Sequence, residues 1–382
     1  MDNDSQVVKT AAAPQPTRSG KVLGQPSVKI LGLGGGGSNA VNRMIELGLP
    51  GVDFIAANTD HQALASSLAP TKIQLGPRVT RGLGAGGDPK VGAAAAMESA
   101  REIAAALKDA DMVFITAGMG GGTGTGAAPV AAEIARELGA VVIAIVTLPF
   151  TFEMTRRANN AMDGVKKLQP HAHTLITVPN DKLLQVVPRD LSLEVAFRLA
   201  DDVLRQGVQG VAELITRAGM INVDFAHVRN LMSRGGGAMM SIGMGRGEHK
   251  AEAAIHQALH HPLLEVDSLE QATGVLVHFT GGDDLTLYEV GEAITKLRET
   301  MDPEVDVIMG ATTDPTMEDR AQAIIIVTGI GARPVAQPQA AVERHASESA
   351  EPVRVFAQPA ADPDSLDLPT FLRRRAAMGG VK

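Results

Sequence analysis

Apolar and polar positions follow one another along this chain in two rhythms. Ser27 to Leu33, Val52 to Ala57, Asp111 to Ala117 and Val141 to Thr147 are short apolar runs rich in β-branched residues, the pattern of strands buried on both faces. Between them the apolar residues gather on one side of a helix. Ala40, Val41, Met44 and Ile45 do so before Gly48, an Ala-rich stretch does so from about Lys90 to Leu107, and Val130, Ile134 and Leu138 recur every four residues. Strand and helix alternate with short connections, which predicts a Rossmann-like α/β domain, a parallel sheet with helices on both faces.

From Ser192 to Arg217 the helical rhythm lengthens. Phe197, Ala200, Leu204, Val208, Val211 and Ile215 hold the period for about seven turns, a predicted length of roughly 38 Å, enough to cross a domain. This helix reads as an axle between two domains, with Gly219 placed as its C-terminal cap. Beyond it, strands at Gly274 to Thr280, Val305 to Gly310 and Ala323 to Thr328 and a helix at Leu287 to Met301 predict a smaller α+β domain, with Met239, Met240 and Met244 packed beneath it. The expected organisation is a disordered tail at 1–20, a nucleotide-binding domain at 21–191, the central helix at 192–217, the α+β domain at 218–330, a flexible linker at 331–365 and an apolar, basic terminal peptide at 366–382.

Composition narrows the function. A net charge of −8 with 3% aromatic residues and no Trp argues against a nucleic-acid partner, since there is little to neutralise phosphates or stack on bases. With no cysteine, disulfides, thiolate metal sites and cysteine nucleophiles are excluded. The first twenty residues lack the basic start and apolar core of a signal peptide and no apolar run approaches a membrane span, so a cytoplasmic protein with no transmembrane segment is expected.

Two glycine-rich loops carry the candidate chemistry. Gly118 to Gly126 lies between the strand Asp111 to Ala117 and the helix that follows, with Thr123 and Thr125 adding hydroxyls and Pro129 placed in the first helical turn. Glycine lets such a loop turn its N–H groups inward at a helix N-terminus, an arrangement suited to phosphate oxygens. Gly32 to Gly37 follows the first strand as G-x-G-x-x-G, and Asp60 lies at the distance where a dinucleotide fold places its ribose acid. That pattern alone supports a nicotinamide-dependent oxidoreductase, but it leaves the richer second loop unused. No G-x-x-x-x-G-K-[ST] occurs near either loop. Glu252, His256 and His260 have the i, i+4, i+8 spacing of a metal site, yet without an identifiable partner on a second helix a solvated face is favoured and no metal is assigned.

Gly118 to Pro129, with its G-G-G-T-G-T-G run, resembles FtsZ, the family of bacterial tubulin-like cell-division GTPases. Gly34 to Asn42, Asn58 to Asp60, Gly82 to Gly86, Pro149 to Arg157, Pro179 to Leu184, Ala196 to Gly210 and Asn222 to Ala226 resemble it in the same order. The resemblance implies GTP or GDP, with Mg²⁺, held by Gly35, Gly36, Gly37, Ser38 and Asn39 and by Gly122, Thr123 and Gly124 at the phosphates. Glu153 would contact the ribose, Arg157 would supply positive charge, Phe197 would lie on the guanine and Asp201 would accept from its N1 and N2 donors. Read as residues alone, Glu153 and Arg157 are a surface i, i+4 ion pair.

The same resemblance implies a head-to-tail homopolymer in the cytoplasm at the division site, with hydrolysis where the loop Gly219 to Arg229 enters a neighbour's site. Asn222 and Asp224 match the family there, whereas His227 stands at its second acidic position. A GTPase that polymerises is thus the first expectation, and a scaffold that polymerises with GTP but hydrolyses it slowly is the second. The peptide Asp367 to Arg375 resembles the family's motif for membrane-tethering division proteins.

Overall fold

In the computed structural model the described residues are 26–185, 192–217, 219–221, 223–234, 236–264 and 272–330. The terminal tail, the linker and the terminal peptide expected from sequence lie outside them. One sheet of ten strands organises these residues, in the order β3-β2-β1-β4-β5-β6-β7-β10-β8-β9. The strands are β1 (Val28–Leu33), β2 (Val52–Asn58), β3 (Thr71–Gln74), β4 (Met112–Gly118), β5 (Val141–Leu148), β6 (Thr174–Pro179), β7 (Gly237–Arg246), β8 (Gly274–Gly281), β9 (Asp306–Thr313) and β10 (Arg320–Ile330). From β3 to β7 every pairing is parallel, while β10 runs antiparallel to both β7 and β8. The strands of the second lobe therefore continue the first sheet rather than forming another. The join is narrow, since β6 meets β7 only at Leu175 with Gly237 and Ile176 with Ala238.

Helices cover both faces of the parallel strands. On one face lie α1 (Gly34–Glu46), α9 (Leu193–Thr216) and α10 (Phe225–Ser233), sharing a core with Ile30, Phe114, Ile145 and Ile176. On the other lie α4 (Pro89–Glu98), α5 (Ala100–Leu107), α6 (Thr123–Glu137) and α7 (Thr155–Leu168), packed on Leu31, Val113, Ile115 and Val142. Alternate residues of each strand feed opposite cores, as the period of two requires. Short helices α2 (His61–Ala65), α3 (Pro77–Thr80) and α8 (Asn180–Leu183) sit in the connections. In the second lobe, α11 (Lys250–Leu259) and α12 (Leu287–Glu299) pack on the sheet around Phe279 and Ile325. Among the described residues no helix is long and apolar enough to cross a membrane.

Several local expectations are corrected. The glycine run after β1 is the start of α1, because a Cβ at Gly37 would sit 2.3 Å from the Thr116 carbonyl oxygen and glycine alone lets the helix lie that close to β4. The glycines before Pro129 act in the same way: α6 begins at Thr123, so Pro129 lies inside the helix, and a Cβ at Gly126 would meet the Pro89 oxygen of α4 at 2.1 Å. The Ala-rich stretch forms two helices, since Ser99 leaves helical geometry to accept from the Gly76 N–H and donate to the Gln74 carbonyl, both at 3.1 Å. Met239, Met240 and Met244 belong to β7, with only Met240 fully buried.

The central helix runs for 24 residues, roughly 36 Å, capped by the Ser192 hydroxyl accepting from the Val195 N–H. Gly207 and Gly210 let it rest directly on Met240 of β7 and Ile324 of β10. Gly219 is not its cap. Arg217 ends the helix in extended geometry, and Gly219 is a contact glycine whose Cβ would lie 2.3 Å from the Ala311 oxygen of β9. Two hydrogen bonds between Ile221 and Ala311, at 3.3 and 3.4 Å, then hold the following loop to that strand.

Candidate nucleotide site

The order β3-β2-β1-β4-β5-β6 reverses direction between β1 and β4, the place where open α/β sheets form a crevice at the carboxyl ends of their strands. Both glycine-rich segments leave the sheet at this point, one from β1 and one from β4, whose residues pair directly from Val28 with Met112 to Leu33 with Ala117. A cavity of about 370 Å³ opens there. Gly35, Gly36 and Asn39 line it from α1, Gly118, Met119 and Gly121 to Gly124 contribute from the loop and start of α6, and Glu153, Arg157, Phe197 and Asp201 close the remaining side. Gly37 and Ser38 do not line it. The turn of α1 directs them inward, where Ser38 is 4% exposed and its hydroxyl has no protein partner.

The glycine end of the cavity has the form of a cradle for phosphate oxygens. Gly120 takes φ 104°, open only to glycine, and its N–H donates to the Thr125 hydroxyl at 2.8 Å. Thr123 shares a 2.6 Å hydroxyl contact with the buried Thr59 at the end of β2, which pins the first turn of α6. The N-terminus of that helix and the half-exposed Arg157 guanidinium are the positive features of a loop that has no lysine of its own. Glu153 pairs with Arg157 and accepts from the Phe150 N–H at 2.9 Å, so the pair expected on a helix surface is instead part of the cavity wall.

The opposite end suits a base. Phe150, Phe152 and Phe197 form an aromatic corner, with centroids 4.9 Å apart for the stacked first pair and 5.5 Å for the edge contact of Phe150 with Phe197. Asp201 stands behind Phe197 on α9. Burial raises its pKa to about 6, while a hydrogen bond from Asn39 works against the shift. Asn180 was given no role by sequence reasoning. It follows β6, is 5% exposed, lines the cavity and has a buried Oδ1 with no protein partner, an acceptor free to serve a ligand. Its signal was the Pro179-Asn180-Asp181 turn after a strand, which shows nothing by residue type alone.

Asp224 and His227 are not in this cavity. Asp224 caps α10 by accepting from the Ala226 N–H at 2.9 Å, and His227 is exposed on the first turn. Both border a second surface cavity, with Asn230, Arg234 and Asp306, that shares no residue with the first. Asn222 lies outside the described residues. Asp60 is occupied as the cap of α2, accepting from Gln62 and Ala63, and is no free ribose ligand. Glu252 pairs with Lys296 at 2.5 Å and the His256 and His260 rings stack at 4.2 Å, and among the described residues no group of three or more His, Cys, Asp or Glu is placed for a metal ion.

A doubly wound sheet with two glycine segments facing one crevice, continued through a long helix into a second lobe, defines a nucleotide-binding protein of tubulin-like architecture. The tubulin/FtsZ family GTPase domain matches residues 27–188 and the FtsZ family C-terminal domain matches residues 236–331. The cell division protein FtsZ 1 of Methanocaldococcus jannaschii is 47% identical over 306 residues, covering 80% of this chain and 84% of that protein. An empty FtsZ dimer from M. jannaschii superposes with a TM-score of 0.78 over 80% of this chain and 89% of its own, at 47% identity. The CetZ2 protofilament of Haloferax volcanii with GTPγS bound superposes with a TM-score of 0.66 over 81% and 94% of the two chains, and at 24% identity it speaks for the fold alone. The chain belongs to the FtsZ family of tubulin-like cell-division GTPases. Neither the fold nor these relatives favour a nicotinamide oxidoreductase.

Proposed function

We propose that the chain binds GTP in the crevice between β1 and β4, polymerises head to tail, and hydrolyses GTP where the Asp224 loop of one subunit meets the nucleotide of the next. The observation that carries this reading is the division of the chemistry between two cavities. One is lined by the glycine segments with Asn180 and Asp201, and the other by Asp224 and His227, so among the described residues the two sets stand apart, which supports a site completed between subunits. Two different surfaces that complete each other form a heterologous contact, which propagates into an open filament.

The cavity fits a guanine nucleotide. Its size, the glycine cradle at a helix N-terminus, Asp201 beside Phe197 and the unpartnered Asn180 acceptor in the lining suit a ligand with phosphates and a donor-bearing base. The lining carboxylates Glu153 and Asp201 are both engaged, so Mg²⁺ would be carried by the phosphates and water rather than by protein ligands. Asp224 would orient and polarise the attacking water. His227 cannot supply the second negative charge the resemblance leads one to expect, which favours slow turnover. The peptide Asp367 to Arg375, outside the described residues, would tether filaments to membrane-bound division proteins and so place them at the division site.

Complementation tests the divided site. Asp224→Asn keeps the helix cap and an intact nucleotide cavity, while Asp201→Ala keeps an intact loop. Mixed together, the two proteins should release phosphate faster than the sum of the two alone. Strict additivity would refute hydrolysis between subunits.

A further inference from the structure

β9 is one edge of the ten-stranded sheet, and only half of that edge is covered. Ala311 turns its N–H and carbonyl outward to Ile221, at 3.4 and 3.3 Å. Main-chain groups alternate in direction along a strand, so Val307 and Met309 also turn theirs away from β8, and among the described residues no other element pairs with them there. β3, at the opposite edge, is only four residues long and carries the exposed Lys72, two features that discourage strand addition.

The open half of β9 borders a trough made of three cavities that share residues. The cavity with Asp224 and His227, about 450 Å³, meets one of about 320 Å³ at Val307, and that one meets a third of about 570 Å³ at Thr295 and Glu299 of α12. Met301, Pro303 and Val305 supply apolar lining next to β9, and Leu287 and Tyr288 supply it at the far end, where both are exposed. The charge around the trough is one-sided. From Asp283 to Met309 the chain carries eight carboxylates and two cationic side chains. Lys296 is engaged by Glu252 at 2.5 Å, and Lys250 of α11 answers Asp284 and Glu289. Glu292, Glu299 and Asp302 line the trough, with Arg298 as the remaining cation of the stretch. At the β9 end Arg234 is paired with Asp306 at 2.7 Å.

We infer that the open half of β9 takes up, as an added strand, an extended segment of a partner protein that is cationic and has apolar residues at alternate positions. Main-chain bonds to Val307 and Met309 supply the attachment, alternate apolar side chains cover Met301 and Val305, and the cations answer the surrounding carboxylates. Asp224 and His227 share this cavity, so the bound segment would occupy part of the surface that the head-to-tail reading assigns to the next subunit. That consequence rests on the function proposed above, whereas the docking itself does not.

The probe is a short fluorescein-labelled peptide of alternating Lys and Val, titrated by anisotropy into the full-length chain without nucleotide. Saturable binding is expected, weakened about ten-fold or more when Glu replaces Lys in the peptide. Val307→Pro removes an outward N–H and no bond to β8, so binding should fall about ten-fold or more with the circular dichroism unchanged. Peptides N-methylated at every Lys or at every Val lose the donors of one edge or of the other, and only one of the two should bind like the parent peptide. Strand addition is overturned by non-saturable binding, by a Glu-Val peptide that binds as well, by undiminished binding to Val307→Pro, or by two N-methylated peptides that bind alike. Should Val307→Pro alter the circular dichroism, the N-methylated pair decides on the unaltered chain. Binding that leaves GTP-dependent light scattering unchanged would support the docking and count against the head-to-tail contact proposed above.

Discussion

Asp201 carries a charge that the folded chain holds reluctantly and that guanine can stabilise. Its pKa is raised to about 6 by burial, so it is mostly ionised at neutral pH, and in the proposed site it would accept from the N1 and N2 donors of guanine. Adenine presents a mismatched edge, and GTP is expected to outcompete ATP by about five-fold to 150-fold, from about 1–3 kcal/mol for a poorly satisfied buried acceptor. Between pH 7 and 5 the carboxylate takes up its proton, so GDP affinity should fall about ten-fold, a step that Asp201→Asn should lack in calorimetric titration. The sign for stability is the reverse of that for a salt-bridged acid. The folded state binds this proton more tightly than the unfolded chain, so the contribution is full below about pH 4 and is lost as pH rises to about 6. At the second cavity, a positioned base contributes about 10²–10⁴-fold, and His227→Asp should raise GTP turnover in polymerised protein roughly ten-fold or more while Asp224→Asn nearly abolishes it. An unchanged rate in His227→Asp would show that residue 227 does not limit hydrolysis.

The elements were legible where residue type and period agree. The four apolar runs became β1, β2, β4 and β5, and the long period from Phe197 to Ile215 became α9, because burial on both faces or along one stripe leaves a plain mark on sequence. β7 left no such mark, since Gly237 to Arg246 has three glycines and a serine that serve close packing; a Cβ at Gly243 would lie 2.0 Å from the Ala254 oxygen of α11. The starts of α1 and α6 were missed for the same reason. Glycine was read as loop where it actually permits helix to lie on strand or helix. Gly219 is the instance with a functional consequence, because its backbone lies against β9 and the Ile221 pairing that follows positions the chain leading to Asp224. Gly219→Ala should push this loop off β9 and lower GTP turnover more than ten-fold, with GDP affinity unchanged because the nucleotide cavity is untouched. Equal losses of turnover and GDP binding would place the damage elsewhere.

At the scale of the whole molecule, the arrangement of the site could be read from sequence only in part. Two glycine loops on adjacent strands predicted one shared crevice, which the β1–β4 register provides. Nothing in residue type showed that the second lobe continues the same sheet, that Asn180 leaves an unpartnered acceptor at the crevice, or that Asp224 borders a different cavity. Those are properties of topology, set by pairings between residues far apart in sequence. The same topology separates assembly from tethering. Both cavities, the central helix and the β6–β7 join lie within residues 26–330, so the surfaces that the proposed head-to-tail contact would use are all carried there. The terminal peptide offers Leu368, Phe371 and Leu372 as apolar anchors with Arg373 to Arg375 beside them, a set suited to an acidic groove and not needed for either cavity. Removal of residues 366–382 should therefore abolish binding to a membrane-tethering division protein, measured by co-sedimentation with vesicles carrying that protein, and leave GTP-dependent light scattering within about two-fold of the full chain. Loss of assembly in the truncated protein would show that the peptide contributes to the subunit contact itself.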